Sequence, residues 1–197
     1  MPNTRLYGFR WIEPLTVHDV AEPIRCRVVT NAPQALNVGD PVALRATGYV
    51  DLCIAAEANL FGVIVGIGPY FDGVRMTYGT RLPLATAYVN PDQESTVFVQ
   101  PAANNVFEVC CGTQLAVATR AGYIASVGEN CDHMVTAVAP LNWPELNAAA
   151  IAGAATAQWR VIDVGRTPYI DWANLYVPLL VSGNEVVLPP ATPLAGI

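Results

Sequence analysis

The chain has 197 residues, of which 53 % are apolar and 13 % are charged. It has ten arginines, no lysine and 16 acidic residues, which give a formal net charge of −6. The apolar fraction excludes a disordered chain, and the acidic balance excludes a protein that grips the nucleic-acid backbone. The absence of lysine excludes Schiff-base and P-loop lysine chemistry. The longest uncharged runs, 58–71 and 146–159, are shorter than the roughly 20 apolar residues of a membrane span, so we expect no membrane partner.

The N-terminal stretch 1–23 is predicted to be an extended arm. It has no apolar leader segment, which predicts a protein made and kept in a cytoplasm. Tyr7, Phe9 and Trp11 alternate along it, so an extended backbone would place the three rings on one face. The arm could be an edge strand on the protein's own core, or it could anchor on another chain.

Residues 24–185 are predicted to form an all-β domain. Gly and Pro together number 31 and separate short runs of branched and aromatic residues, as in a β-sandwich or barrel of jelly-roll type. Turns are expected at 37–41 and 46–48. Strands are predicted at 24–30, 41–46, 49–55, 60–68, 84–90, 96–100, 106–111, 134–138, 158–164 and 174–181. The run 60–68 contains three glycines among branched residues and is predicted to be a bent, fully buried strand.

At most one short helix is expected, and its predicted place follows Trp143. Asn142 could cap it, Pro144 fits a first turn and the alanines after Asn147 have high helix propensity. An extended loop of small residues is the alternative. Residues 186–197 are predicted to be a proline-rich tail, in which Pro189, Pro190 and Leu194 are candidate contacts to other subunits.

Candidate catalytic residues are few. The five cysteines are odd in number and irregular in spacing, which indicates free buried thiols, and the absence of a CxxC motif argues against zinc. Cys131 and His133 could form a nucleophile and base, but neighbours two apart rarely have that geometry, so a loop in which Asn130 and Asp132 cap a turn is favoured. We therefore expect no enzyme activity, no metal and no cofactor.

Several segments together resemble a known family. They are YGF near the N-terminus, NVGDPVALRATGYVDLCIAAEANLFGVIVGI, LATAYVNPD, NNVFEV, VGENCDHM and TAQWRVIDVGRTPYIDWANLYVPLLV. In this order they resemble the head decoration, or cement, proteins of short-tailed bacteriophages. The resemblance implies a homotrimer on the outer surface of the phage head, where it would clamp neighbouring major capsid subunits.

The residues are compatible with that role. A cement protein needs one interface with its own copies and one with the shell, each on the order of 1,000 Å² or more. Tyr7, Phe9 and Trp11 and the C-terminal tail are the predicted inter-subunit contacts. Two alternatives remain open: a carbohydrate-binding virion β-sandwich that uses Trp143, Trp172 or Tyr176, and a minor head or tail structural protein.

Overall fold

The computed structural model describes residues 8–15, 22–28, 35–55, 57–71, 75–83, 95–138, 141–152, 156–165 and 169–184. In this part of the chain the fold is all-β, as predicted. In chain order the strands are β1 (Arg10–Pro14), β2 (Ile24–Arg27), β3 (Leu36–Asn37), β4 (Pro41–Leu44), β5 (Val50–Leu52), β6 (Leu60–Ile67), β7 (Tyr70–Phe71), β8 (Met76–Thr77), β9 (Arg81–Leu82), β10 (Thr96–Pro101), β11 (Asn105–Cys110), β12 (Asn130–Cys131), β13 (His133–Val138), β14 (Leu141–Leu146), β15 (Trp159–Val164) and β16 (Pro178–Gly183).

Two five-stranded antiparallel sheets organise these strands. The first has the order β1-β11-β16-β15-β12 and the second the order β2-β10-β6-β4-β5. Three two-stranded ladders, β13-β14, β3-β9 and β7-β8, accompany them. An isolated bridge joins Val28, just after β2, to Val50 of β5. The two edges of the second sheet therefore meet at one residue pair without forming a continuous closed barrel.

Strand β6 contributes side chains to two hydrophobic cores on its two faces, and its alternation is offset by one residue where its register with β4 shifts between Leu60 and Gly62. Leu60 and Val63 belong to the first core, which lies between the two sheets. Phe61 and Ile64 belong to the second core, on the other face of the second sheet. The prediction of a fully buried strand at 60–68 is confirmed for its first half, and the last residues, up to Ile67, are partly buried.

Gly62 explains how β6 packs so closely against β10. A Cβ atom at this position would lie 2.3 Å from the carbonyl oxygen of Gln100, whereas one at Gly66 would lie 3.4 Å from the ring of Phe98. The first distance is a clash with backbone and the second is an ordinary contact. Glycine is therefore required at position 62 by the approach of the neighbouring strand.

The predicted turns on either side of β4 are present. Gly39 and Gly48 both have positive φ values, of 97° and 83°. In the first turn the carboxylate of Asp40 accepts hydrogen bonds from the backbone N–H of Asn37 at 2.7 Å and from its side-chain amide at 3.1 Å. In the second, the N–H of Gly48 donates to the carbonyl of Arg45 at 2.9 Å.

The helix prediction after Trp143 is wrong. Residues Leu141–Leu146 form β14, which pairs with β13 along its whole length, and the alanines that follow form a single 3-10 turn, Ala148–Ala150. Pairing with β13 takes up the residues from Asn142 to Leu146 that were predicted to start the helix, and the alanines after them form only this one turn. The α-helix of the described residues is α1 (Arg120–Ala125), where Thr119 caps the N-terminus by accepting from the N–H of Gly122 at 3.2 Å.

Two further strand predictions need comment. The predicted strand at 174–181 begins later, at Pro178, because the residues before it turn and Tyr176 has a positive φ of 63°. The predicted strand at 84–90 lies outside the described residues, as do Tyr7, most of the predicted arm 1–23 and the tail with Pro189, Pro190 and Leu194.

Candidate functional site

A network of polar side chains is buried where the two sheets meet, and we call it the polar junction: Cys53, His133, Gln158 and Trp159. The side-chain amide of Gln158 donates to the carbonyls of Ile54 and Glu57, both at 2.9 Å, and approaches the sulfur of Cys53 at 3.2 Å. These contacts join the residue directly before β15 of the first sheet to the loop between β5 and β6 of the second.

His133 is the central member of the polar junction. Its Nε2 lies 2.8 Å from the carbonyl oxygen of Cys53, and its Nδ1 accepts from the indole N–H of Trp159 at 3.4 Å. A carbonyl can only accept, so Nε2 carries the proton and Nδ1 is free to accept. Burial lowers the pKa of His133 below its usual 6.5. The ring is therefore held neutral, because a proton on Nδ1 would face another donor.

The Cys131 and His133 pair does not form a catalytic dyad in this structure. Asn130–Cys131 is a strand paired with β15, so the prediction of a plain loop with capping side chains is also wrong. Both His133 nitrogens are directed to Cys53 and Trp159. Burial raises the pKa of the Cys131 thiol to about 12, which keeps it protonated and a poor nucleophile.

The other thiols behave similarly. All five cysteines are free, four of them buried and Cys26 half-buried, as predicted for thiols without disulfides. Burial raises the pKa of Cys26 to about 11 and that of Cys53 to about 12. Among the described residues, no three His, Cys, Asp or Glu side chains are grouped closely enough to hold a metal ion.

The predicted contact residues of the N-terminal arm have different environments. Phe9 lies in the first core, where its ring stacks on Trp159 with centroids 4.4 Å apart. Trp11 lies on β1, at the edge of the first sheet, with 41 % of its surface exposed, and its indole N–H donates to Asn105 at 2.9 Å. Phe9 thus packs within its own chain, and an inter-subunit contact through Trp11 stays a prediction.

The edge at β1 carries features that discourage pairing with another strand. Arg10 forms an ion pair with Glu108 of β11, the register shifts between Trp11 and Glu13, and Pro14 lacks a backbone donor. Charge, bulge and proline are the usual means by which an edge strand avoids adding a further strand. We therefore expect that a partner would contact the side chains of β1 and not extend the sheet there.

Two neighbouring segments, 114–128 and 169–176, form an exposed apolar surface that we call the apolar cap. The Tyr123 and Trp172 rings lie 5.8 Å apart, and the side-chain amide of Gln114 donates to the carbonyl of Ala173. Leu115, Ile170 and Trp172 pack against the first core. The exposed apolar side chains of the cap are Val117, Ile124, Val127, Tyr169 and Leu175.

A chemically different surface borders the second core, and we call it the arginine rim. It comprises the exposed arginines at the two ends of segment 75–81, Arg75 and Arg81, next to Leu82 of the second core. Arg25 and Arg27 are also exposed, but they lie on the other face of β2 from Ile24 and Cys26, and Phe98 is directly opposite Arg25 in the ladder of β2 and β10. Met76 and Tyr78 are exposed in the segment between Arg75 and Arg81, and Tyr78 is 77 % exposed.

Of the three side chains proposed for carbohydrate stacking, that of Trp143 lies outside the described part of the structure, and the other two are partly buried. Trp172 is partly buried and its ring faces Tyr123. Tyr176 is also partly covered, and its backbone N–H donates to the carbonyl of Cys111 at 3.0 Å. Trp172 packs against the first core, which favours a packing role for its ring.

Comparison with family models, curated proteins and solved structures found no match to this chain. The resemblance to phage decoration proteins therefore stays a prediction. The helices in the described part of the chain include none with the length and apolar character needed to cross a membrane.

Proposed function

We propose that this chain is a structural protein of a tailed-phage virion that binds the outer surface of the head and stabilises it by bridging major capsid subunits. The observation that carries the proposal is the presence of two chemically different exposed surfaces, the apolar cap beside the first core and the arginine rim beside the second. A cement protein requires two interfaces, one with its own copies and one with the shell.

The side chains of the arginine rim suit contact with a protein shell. Arg, Tyr and Met are enriched at protein interfaces, and guanidinium groups form bidentate pairs with carboxylates. Tyr78 and Met76 are exposed between two arginines of the chain. In the proposed assembly the arginine rim contacts the major capsid protein.

The two-core architecture supports a mechanical role. Strand β6 packs on one side against the first sheet and on the other against the second core, so the two surfaces are joined through a shared, fully packed strand. A force applied between a shell contact and a contact between copies would therefore be transmitted through the buried first half of β6, Leu60 to Ile64. In a homotrimer, three such shell contacts would act together and strengthen attachment.

The proposal is tested by co-sedimentation of the purified chain with capsids that lack it. We expect saturable binding, weakened about tenfold or more by Tyr78→Ala if Tyr78 is an interface hot spot. Ile54→Ala is the control, because Ile54 is also exposed but lies outside the arginine rim, and it should bind like the parent. Absence of co-sedimentation at micromolar concentrations would contradict the proposal.

A further inference from the structure

The His133 side chain connects three elements of the fold. It projects from β13, and its Nε2 donates to the carbonyl of Cys53, directly after β5 of the second sheet, at 2.8 Å. Its Nδ1 accepts from the indole N–H of Trp159, on β15 of the first sheet, at 3.4 Å. The ring of Phe9, directly before β1, lies edge-on to His133 and stacks on Trp159. A change in the charge of this one ring therefore acts on both sheets and on the start of β1.

Only the neutral ring fits this arrangement. His133 is fully buried, and each of its nitrogens already has a partner, one as donor and one as acceptor. A second proton would bind at Nδ1, where it would face the indole N–H of Trp159, a group that donates and cannot accept. The charged ring must therefore give up its contact with Trp159 and find an acceptor elsewhere.

The polar junction contains such an acceptor, the side-chain oxygen Oε1 of Gln158. This atom is buried, and within the residues that the structure describes no donor has hydrogen-bond geometry to it. The amide cannot exchange its oxygen and nitrogen, because the nitrogen donates to the carbonyls of Ile54 and Glu57. Burial lowers the pKa of His133, whereas the Cys53 carbonyl and the Gln158 side chain, as hydrogen-bond partners, raise it. A partner that favours the charged ring must accept from it, so the Gln158 atom concerned is Oε1.

The charged groups around the ring also favour a second proton. Asp132, directly before β13, accepts from the backbone N–H of Gln158 at 3.1 Å, and Glu57 lies in the loop between β5 and β6, where it pairs with Arg45. The negative charges of Asp132 and Glu57 both act to raise the pKa of His133 against the effect of burial. Burial raises the pKa of the Cys53 thiol to about 12, so that thiol stays neutral in acid. The surroundings can therefore support a charged ring inside the folded chain.

We propose that the polar junction is a proton-operated switch. The neutral His133 ring holds the indole of Trp159, and a second proton, taken from solvent at Nδ1, is donated to Oε1 of Gln158 and releases that indole. The released N–H is then a buried donor without an acceptor, which is unfavourable and loosens the stacking of Trp159 on Phe9. The switch acts within a single chain and does not depend on the proposed function.

The test is proton–nitrogen NMR of the isotope-labelled chain, titrated downward from pH 7. We expect His133 to carry its proton on Nε2 at pH 7, and the indole N–H resonance of Trp159 to shift with the same midpoint as the second protonation of the ring. The indole of Trp11, which donates to Asn105 at 2.9 Å, is the internal control and should not follow that midpoint. A Trp159 resonance that does not follow the His133 titration would overturn the proposal.

Amide hydrogen exchange distinguishes this local change from unfolding of the whole chain. The backbone N–H of Phe9, which donates to the carbonyl of Gly39 at 2.9 Å, should exchange about tenfold faster once His133 is charged. That of Val99, in the ladder of β6 and β10, should keep its protection. Equal loss of protection at Phe9 and Val99 would mean that acid unfolds the chain as a whole and would overturn the proposal.

Two variants should change the proton affinity of His133 in opposite directions. Trp159→Phe keeps an aromatic ring but removes the N–H that faces Nδ1, so the second proton should bind about tenfold more tightly. Gln158→Met removes the acceptor and should weaken its binding. Trp172→Phe is the matched control, because the Trp172 ring faces Tyr123, and it should leave the titration unchanged. A change in the same direction in both junction variants, or one of equal size in Trp172→Phe and Trp159→Phe, would contradict the switch.

Discussion

The polar junction and the apolar cap both lie beside the first core, yet their side chains have opposite environments. In the junction, the Gln158 amide N–H groups, the His133 ring and the Trp159 indole are buried and hydrogen-bonded, and Trp159 contacts both Phe9 and Phe107. In the cap, apolar side chains of similar size are exposed. Because burial and not exposure stabilises a folded chain, we expect the junction to contribute much more to the stability of the single chain than the exposed side chains of the cap.

The largest expected effect is at Trp159. Trp159→Ala removes a fully buried indole that stacks on Phe9 and donates to His133, and it should lower the free energy of unfolding by about 3 to 5 kcal/mol. Urea denaturation followed by circular dichroism measures this loss. Tyr78→Ala, at an exposed site, should change the same quantity by less than about 0.5 kcal/mol. Equal losses in the two variants would remove the contrast between interior and surface.

The second prediction concerns the close approach of β6 and β10. Gly62→Ala places a methyl group against the Gln100 carbonyl, so we expect a loss of about 1 to 3 kcal/mol. Gly66→Ala, on the same strand, is the matched control and should cost less than about 1 kcal/mol because its methyl group meets only the Phe98 ring. Thermal unfolding of both variants measures the difference, and a Gly66 variant as unstable as the Gly62 variant would contradict it.

The third prediction is a pH dependence that originates in the polar junction. The unfolded chain protonates a histidine at about pH 6.5, whereas burial lowers the pKa of His133 in the folded chain. Between those two pKa values the unfolded state binds more protons, so stability falls as the pH falls below 6.5, by up to about 1.4 kcal/mol per pH unit. Above pH 6.5 the histidine is neutral in both the folded and the unfolded chain, so its burial no longer lowers the free energy of unfolding.

His133→Gln should reduce the difference in the free energy of unfolding between pH 7 and pH 5, measured by urea denaturation at each pH. The carboxylates of the chain titrate in both proteins, and the difference between them isolates the histidine. His18→Gln is the control, because His18 is the other histidine of the chain. If the pH dependence of stability is unchanged in His133→Gln and lost in His18→Gln, the assignment of this effect to His133 is contradicted.

The smallest effect is expected in the apolar cap. Val117→Asp should change the free energy of unfolding by less than about 0.5 kcal/mol when measured at concentrations low enough that association is negligible. The side chain is 60 % exposed, so little burial is lost in the single chain. If Val117→Asp lowers the free energy of unfolding as much as Gly62→Ala does, the prediction that Val117 contributes little to the stability of the single chain is contradicted.

The sequence predicted the strands that carry their own local signals. Strands β4, β5 and β6 are each bounded by glycine or proline and filled with branched residues, and all three were predicted near their observed positions. The pairing of β13 with β14 was not predicted, because the alanines after Asn147 have a strong local preference for helix and the pairing depends on contacts elsewhere in the chain. Helix α1 was missed because six residues that include Gly122 give no clear helical period, although Thr119 is a recognisable N-cap.

The candidate sites could be predicted only in part. The absence of disulfides was predicted from the odd number and irregular spacing of the cysteines. The polar junction depends on bringing Cys53 to Gln158, 105 residues away, and no local pattern indicates that contact. The apolar cap likewise requires segments 114–128 and 169–176 to be neighbours, so its exposed residues look like ordinary core residues in the sequence.

The central claim is that this chain reinforces a phage head, and the most direct measurement is the temperature at which DNA leaves filled capsids. Capsids that lack the chain should release DNA at a higher temperature after the purified parent chain is added, with the increase reaching a plateau at a fixed ratio of chain to capsid subunit. Tyr78→Ala should reach the plateau only at higher concentration. An unchanged release temperature with the parent chain bound to saturation would contradict the claim.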